Sequence, residues 1–208
     1  MGMVTAILLI GMTLTMPAFS ENQEVLFEDN FEKHLGSEWT WLRENKEDWR
    51  ITDRGLEICA RPGDAVSVKN ALLLTVPEAN GSVVIFEVTI TYSTDLTQQF
   101  EQAGITWYTN GIPVFKLVHE RIDGDYYIIP GRVPAENNSV RLRLEVQDKT
   151  YIAKFRNQGE KEYRIVAEGD LAAGKKNQIS LQTYHGPGEE DHWMCFSDFK
   201  IMKQISVF

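Results

Sequence analysis

From Leu26 onward the chain alternates apolar and polar residues with a period of two, and this limits its fold more than any other feature. A strand turns successive side chains to opposite faces, so such alternation calls for half-buried strands, whereas an amphipathic helix needs a period near 3.6. No segment sustains the helical period. Strands are expected over 25–30, 49–52, 56–61, 70–75, 82–92, 103–108, 114–121, 125–129, 139–147, 150–156, 164–168, 177–184 and 192–202. Turn signals separate them, among them Asp53-Arg54-Gly55, Asn110-Gly111, Asp123-Gly124 and His185-Gly186-Pro187-Gly188. The stretch 96–101 reads as loop. About a dozen short strands at this spacing predict an all-β fold, a two-sheet antiparallel jelly-roll sandwich. The 208 residues suffice for one substantial core.

The first twenty residues follow a different rule. Val4 to Met16 is almost wholly apolar, and Pro17-Ala18-Phe19-Ser20 follows with small residues spaced as at a secretory cleavage site. The run is short for a membrane span and ends in polar Glu21-Asn22-Gln23 without a stop-transfer pattern. Residues 1–20 are therefore expected to be a signal peptide and 21–208 one mature domain. The expected product is secreted or periplasmic, monomeric, and without a membrane span once the leader is removed. Met1-Gly2-Met3 lacks the usual Lys or Arg, so a retained anchor is the rival reading. The net charge of −9 argues against nucleic acid as a partner, which needs a basic footprint. It suits neutral ligands such as glycans. Parity places Cys59 away from the apolar face of Leu56 and Ile58, and Cys195 on the face of Phe199 and Ile201. One thiol is then expected outside and one inside, which disfavours a disulfide.

Alternation also assigns outward rows. Ala103, Ile105 and Trp107 form an apolar row, opposite Gln102, Gly104, Thr106 and Tyr108. Phe115, Leu117 and His119 fall on the core side, opposite Lys116, Val118 and Glu120. Val140, Leu142, Leu144 and Val146 share a face, opposite Arg141, Arg143 and Glu145. If these strands neighbour one another in one sheet, their outer face is an array of charge, amides and a tyrosine. Sugars are recognised by planar polar groups that pair with hydroxyls and by rings that stack on the C–H face of a pyranose, and this array offers both. The bland alternative is a solvated face whose charges pair across strands. Trp41, between Trp39 and Trp49, is either a sugar platform or a core plug.

The four histidines have no short metal-binding spacing beyond His185 and His192, which flank a Gly-rich acidic loop. Asp29 on the first strand and Asp198 on the last would share a calcium site if the chain ends meet. A retaining glycosidase needs two carboxylates roughly 5 Å apart. No alternating Glu-x-Asp-x-Glu run occurs, so Glu120 would need Glu101 or Glu145 from another strand. There is no Gly-x-Ser-x-Gly elbow and no His-Glu-x-x-His.

Phe27-Glu28-Asp29-Asn30-Phe31, then Trp49-Arg50-Ile51 and Gly55-Leu56-Glu57-Ile58, resemble the opening of the concanavalin A-like domains at the C-terminus of bacterial beta-xylosidases. Phe100-Glu101-Gln102-Ala103-Gly104-Ile105, followed by Lys116 and Glu120, is similar to their Gln-Ala-Gly strand and Lys-x-x-x-Glu strand. Phe196-Ser197-Asp198-Phe199-Lys200-Ile201 looks like their last strand. The resemblance implies a jelly roll of two curved sheets with Gln102, Lys116 and Glu120 on the concave side, a carbohydrate context, and often a structural calcium. The segment 128–134 departs from the expected Ser/Trp-containing strand, so ligand identity does not carry over.

Three expectations follow. The first is an exported, non-catalytic or accessory carbohydrate-binding protein with no cofactor beyond calcium at Asp29 and Asp198. It would hold an oligosaccharide or polysaccharide on Gln102, Tyr108, Lys116, Glu120, Arg141 and Arg143, with Trp41 stacking. The second is a sandwich-fold glycoside hydrolase or polysaccharide lyase using Glu120. The third is an envelope interaction module whose charged face pairs with itself.

Overall fold

The computed structural model describes residues 23–136, 139–172 and 174–205; the leader expected over 1–20 lies outside them. The strands in chain order begin with β1 (Gln23–Asp29), β2 (Thr40–Leu42), β3 (Trp49–Thr52), β4 (Gly55–Ala60) and β5 (Ala71–Thr75). Next come β6 (Val84–Tyr92), β7 (Gln102–Thr109), β8 (Ile112–Ile122), β9 (Asp125–Ile129) and β10 (Val133–Pro134). The last five are β11 (Ser139–Gln147), β12 (Thr150–Asn157), β13 (Arg164–Asp170), β14 (Asn177–Tyr184) and β15 (His192–Gln204). The first sheet runs β13-β12-β11-β6-β15-β4-β3, with β1 on the second half of β15; the second runs β10-β9-β8-β7-β14-β5-β2. Every pairing is antiparallel. The fold is the expected two-sheet jelly-roll sandwich.

The apolar rows meet between the sheets. Leu142 pairs with Val88 and Leu144 with Phe86 across β11 and β6, and Ile105 pairs with Leu181 and Leu117 across the second sheet. All seven are fully buried. Each such side chain contributes roughly 1.5–3 kcal/mol by leaving water. Hairpins close where the backbone must be left-handed: Asn110-Gly111 between β7 and β8, and Asp123-Gly124 between β8 and β9, have positive φ at both central residues. The segment 96–101 is loop and turn, as expected. The strands β2 and β10, of three and two residues, are too short for alternation to reveal.

Two expectations fail on the last strand. The register of β15 slips between Ser197 and Lys200, where Asp198 adopts a φ of 51°. The bulge inserts a residue and reverses parity, so Phe196 faces the core and so do Phe199 and Ile201. Cys195 therefore points outward, like Cys59. The two are diagonal neighbours, Cys59 opposite Trp193 and Cys195 opposite Glu57, and both are free thiols. Asp198 leans toward β6, where Thr89 donates to it at 3.4 Å and Arg141 lies 3.8 Å away. Asp29 accepts instead from the Phe31 and Gly36 N–H groups (2.8 and 2.9 Å) and the Trp39 indole (2.9 Å). Its oxygens already face hydrogen-bond donors, so the pair does not fit a shared calcium. Among the described residues no three His, Cys, Asp or Glu side chains are grouped to hold a metal ion.

Candidate functional site

Three ladder rows cross the outer face of the second sheet. Tyr184, Gln102, Glu120 and Tyr127 form one; Gln182, Gly104, Val118 and Ile129 the next; Ser180, Thr106 and Lys116 the third. Only Gly fits the centre, because a Cβ on Gly104 would collide with the Leu117 carbonyl oxygen and Val118 Cα. Lys116 reaches diagonally across the first two rows. Its ammonium donates to Gln102 Oε1 at 2.8 Å and to Glu120 Oε2 at 3.0 Å, and lies 5.9 Å from the Tyr184 ring centre. Gln102 Nε2 donates in turn to the Phe100 carbonyl at 2.6 Å, which fixes the amide orientation. The expected trio thus converges, with the Lys116 side chain 34% exposed and that of Glu120 6%.

An open sheet face would be wet, yet Gln102, Thr106, Tyr108, Ser180, Gln182 and Tyr184 are all buried. The segment 61–70 walls one side of the face. His185 and Gly186 donate backbone hydrogen bonds to the Gly63 and Arg61 carbonyls, and Val68, Ala65 and Leu42 pack beside Tyr184. Within this recess Gln182 Oε1 accepts from Ser180 (2.6 Å) and Tyr108 (3.1 Å). Thr106 Oγ1, Gln182 Nε2 and the Tyr184 hydroxyl are buried close together, and the Thr106 and Gln182 side chains act on the Tyr184 hydroxyl as hydrogen-bond neighbours. Burial raises the Tyr184 hydroxyl above its ordinary range, so it stays a neutral O–H. Sealed from solvent, these groups form a neutral polar floor beneath the Lys116 network. Tyr184 and Gln182 were absent from the expected site. Their signal was the alternation of 177–184, whose outward row is Gln178, Ser180, Gln182 and Tyr184.

The other expected residues do not join this cluster. Tyr108 lies on the same face but as its floor, its hydroxyl donating to the Ala65 carbonyl (3.2 Å) and to Gln182. Trp41 packs against the core, its ring 4.9 Å from that of Trp49, and acts as a plug. Arg141 and Arg143 stand on the first sheet, on the opposite side of the molecule, because β11 pairs with β6 and β12 and not with β8. Glu145 is there too, accepting from Arg143 (2.6 Å) and Lys154 (2.7 Å). Glu101 is fully buried, one oxygen 2.7 Å from His192 Nδ1 and the other accepting from the Thr97 and Gln98 N–H groups. Neither leaves Glu120 a free carboxylate partner. His119 is a core residue stacked on Tyr92 at 5.1 Å, and burial pushes its pKa down to about 3.

No protein-family model matches the chain, and no curated protein matches it in sequence. Solved structures do. A bifunctional GH43-CE chain from Bacteroides eggerthii superposes with a TM-score of 0.72 at 16% identity, covering 88% of this chain and 26% of that one. The GH43 protein BlXynB from Bacillus licheniformis gives 0.66 at 17% identity, covering 84% and 39%. The CBM2 module of the evolved Dit of Lactobacillus casei BL23 phage J-1 gives 0.59 at 8% identity, covering 90% and 99%. This chain thus spans well under half of either GH43 chain and nearly the whole of the phage module. Likeness at such identities speaks for architecture, not activity. The chain shares with these proteins a two-sheet jelly-roll sandwich.

Proposed function

We propose that the protein is an exported carbohydrate-binding module that takes an oligosaccharide, or a segment of a polysaccharide, on the recessed face of the second sheet without cleaving it. One observation carries this reading: the Gln102–Lys116–Glu120 network brings an amide, an ammonium and a carboxylate together on this face, where the Lys116 side chain still reaches solvent. Lys116 and Glu120 neutralise each other, so the face suits uncharged hydroxyls, which both donate and accept. The GH43 names of two similar chains and the CBM2 name of the third support a glycan partner. The absence of a free second carboxylate beside Glu120 supports binding over hydrolysis.

The test is a thermal-shift and calorimetric screen of the purified protein against neutral plant oligosaccharides. A ligand at 100 times its dissociation constant should add about 2.7 kcal/mol to stability. Lys116→Ala and Glu120→Gln should each weaken binding at least about tenfold, the equivalent of one lost charge-assisted hydrogen bond. Unchanged binding in both variants would place the site elsewhere. Release of reducing ends by the wild type, abolished in Glu120→Gln, would instead establish a hydrolase.

A further inference from the structure

At the ends of β7 and β14 remote from Gln102 and Tyr184, the two sheets part around a crevice of about 520 Å³. A second hollow of about 240 Å³ adjoins it, sharing Trp107, Asp148 and Asn177 in its lining. This is the size range of small-ligand sites, and the mouth of a β-structure is a common place for one. Trp107 lines both hollows. It is 3% exposed, and its indole N–H has no hydrogen-bond partner.

The walls are preformed. Val76 donates to the Asn177 carbonyl, Asn110 to that of Lys176, and Leu171 to that of Lys149. Gln147 Nε2 holds the Gly81 carbonyl at 2.9 Å, tying the 79–81 turn to β11. The charged residues of the lining are Glu78, Asp148, Lys149, Lys175 and Lys176. The ion-paired lysines among the described residues are Lys116, Lys154 and Lys200, so none of these three is engaged. Neither Glu78 nor Asp148 forms an ion pair or side-chain hydrogen bond with a described residue.

We infer that this crevice is a second ligand site, taking one or two units of a polyhydroxylated ligand such as a pyranose. A simple anion would meet the two carboxylates, and a simple cation the lysines. Hydroxyl groups donate to the first and accept from the second, so a polyol uses the whole rim. Trp107, buried in the wall of both hollows, reports on whatever occupies them. The site is independent of the Lys116 face: it lies between the sheets, and no residue belongs to both.

The experiment is a titration of the ¹⁵N-labelled full protein with xylobiose and with glucose, following the indole N–H resonance of Trp107, assigned by its loss in Trp107→Phe. A saturable shift is expected with at least one sugar, no shift with sodium acetate at the same concentration, and an unaltered response in Lys116→Ala. Because Trp107→Phe also touches the core, the surface variant Asp148→Ala/Lys176→Ala carries the affinity test, with an expected loss of at least about tenfold. A resonance unmoved by either sugar at tens of millimolar, an equal response to acetate, or undiminished affinity in the surface variant would each overturn the assignment. Loss of the response in Lys116→Ala would show that it reports the other face.

Discussion

The outward faces of the two sheets carry similar residues and end in opposite states. On the first sheet Glu87 accepts from Arg141 Nε (3.0 Å) and Nη2 (2.9 Å), from Arg143 Nη1 (2.9 Å) and from the Tyr163 hydroxyl (2.9 Å). Glu145 closes the network with Arg143 and Lys154. Tyr163 lies over it between Arg143 and Arg156, 5.3 and 5.1 Å from their guanidinium carbons. On the second sheet Lys116 and Glu120 pair above a buried floor of neutral hydroxyls and an amide, from Thr106, Gln182 and Tyr184. The ladder explains the difference. Arg143 stands directly opposite Glu87, so the register supplies the counter-charge. Gln182 stands opposite Gly104, and Tyr184 opposite Gln102, so the register there brings neutral groups together instead of opposite charges.

If the first face is a closed structural network, breaking it should be the most damaging change on either surface. Glu87→Ala leaves two mostly buried guanidinium groups without their shared carboxylate, and the expected loss is roughly 3–5 kcal/mol by urea unfolding. Lys116→Ala strands one buried carboxylate, Glu120, where water can enter through the partly exposed lysine site, so the expected loss is smaller, roughly 1–3 kcal/mol. Equal losses would erase the distinction. Glycan binding should divide the other way, surviving in a folded Glu87→Gln protein and weakening in Lys116→Ala.

Acid should find the same face first. Burial by itself would raise the Glu87 pKa, but Arg141 beside it, with Tyr163 and Arg143, outweighs burial and holds it below its ordinary 4.5. The native state then prefers the ionised form. Its stabilisation is complete above the unfolded value and is lost as pH falls below about 4.5 toward the folded pKa. Urea midpoints measured from neutral pH down to roughly pH 3 should fall more steeply for the wild type than for Glu87→Gln. Parallel curves would mean that this network does not govern the acid limb.

How much of this was legible in the sequence depends on whether the signal was local. Alternation is local, so strands, turns and core rows were readable, as was the convergence of Gln102, Lys116 and Glu120 on two consecutive strands. Sheet membership is not local. Arg141 and Glu120 share outward parity, but the strand order puts β11 beside β6 and β8 beside β7, so the two belong to opposite surfaces. Parity also fails wherever a residue is inserted. Nothing in Ser197-Asp198 announces a bulge, yet it turned Cys195 outward. Trp41 was ambiguous because a tryptophan fills a core gap or a sugar platform equally well, and only Trp49 beside it decides.

The neutral floor of the second face should respond to substitution differently. Thr106→Val and Tyr184→Phe keep shape while deleting hydroxyls sealed beneath the Lys116 network, where the Thr106 and Gln182 side chains neighbour the Tyr184 O–H. A neutral hydrogen bond contributes about 0.5–1.5 kcal/mol, so each variant should lose no more than that by urea unfolding. Because the floor is sealed, each should keep glycan affinity within about twofold of the wild type, unlike Lys116→Ala. A loss of stability as large as that of Glu87→Ala would mean that the neutral face is networked as tightly as the charged one.

The smallest expected effect is none, and it concerns the cysteines. Both lie on the outer face of the first sheet, and burial pushes each thiol up to about 11, so neither is a ready nucleophile. Diagonal positions on adjacent antiparallel strands stand roughly 7–8 Å apart, beyond the span a disulfide accepts without backbone movement. A native bridge, once reduced, would cost roughly 2–5 kcal/mol. A reductant should therefore leave the melting temperature of the oxidatively purified protein where it was. A drop would mean that the bulge at Asp198 relaxes enough to bring β4 and β15 into a different register, and the rigid, self-paired character assigned to this face would fail with it.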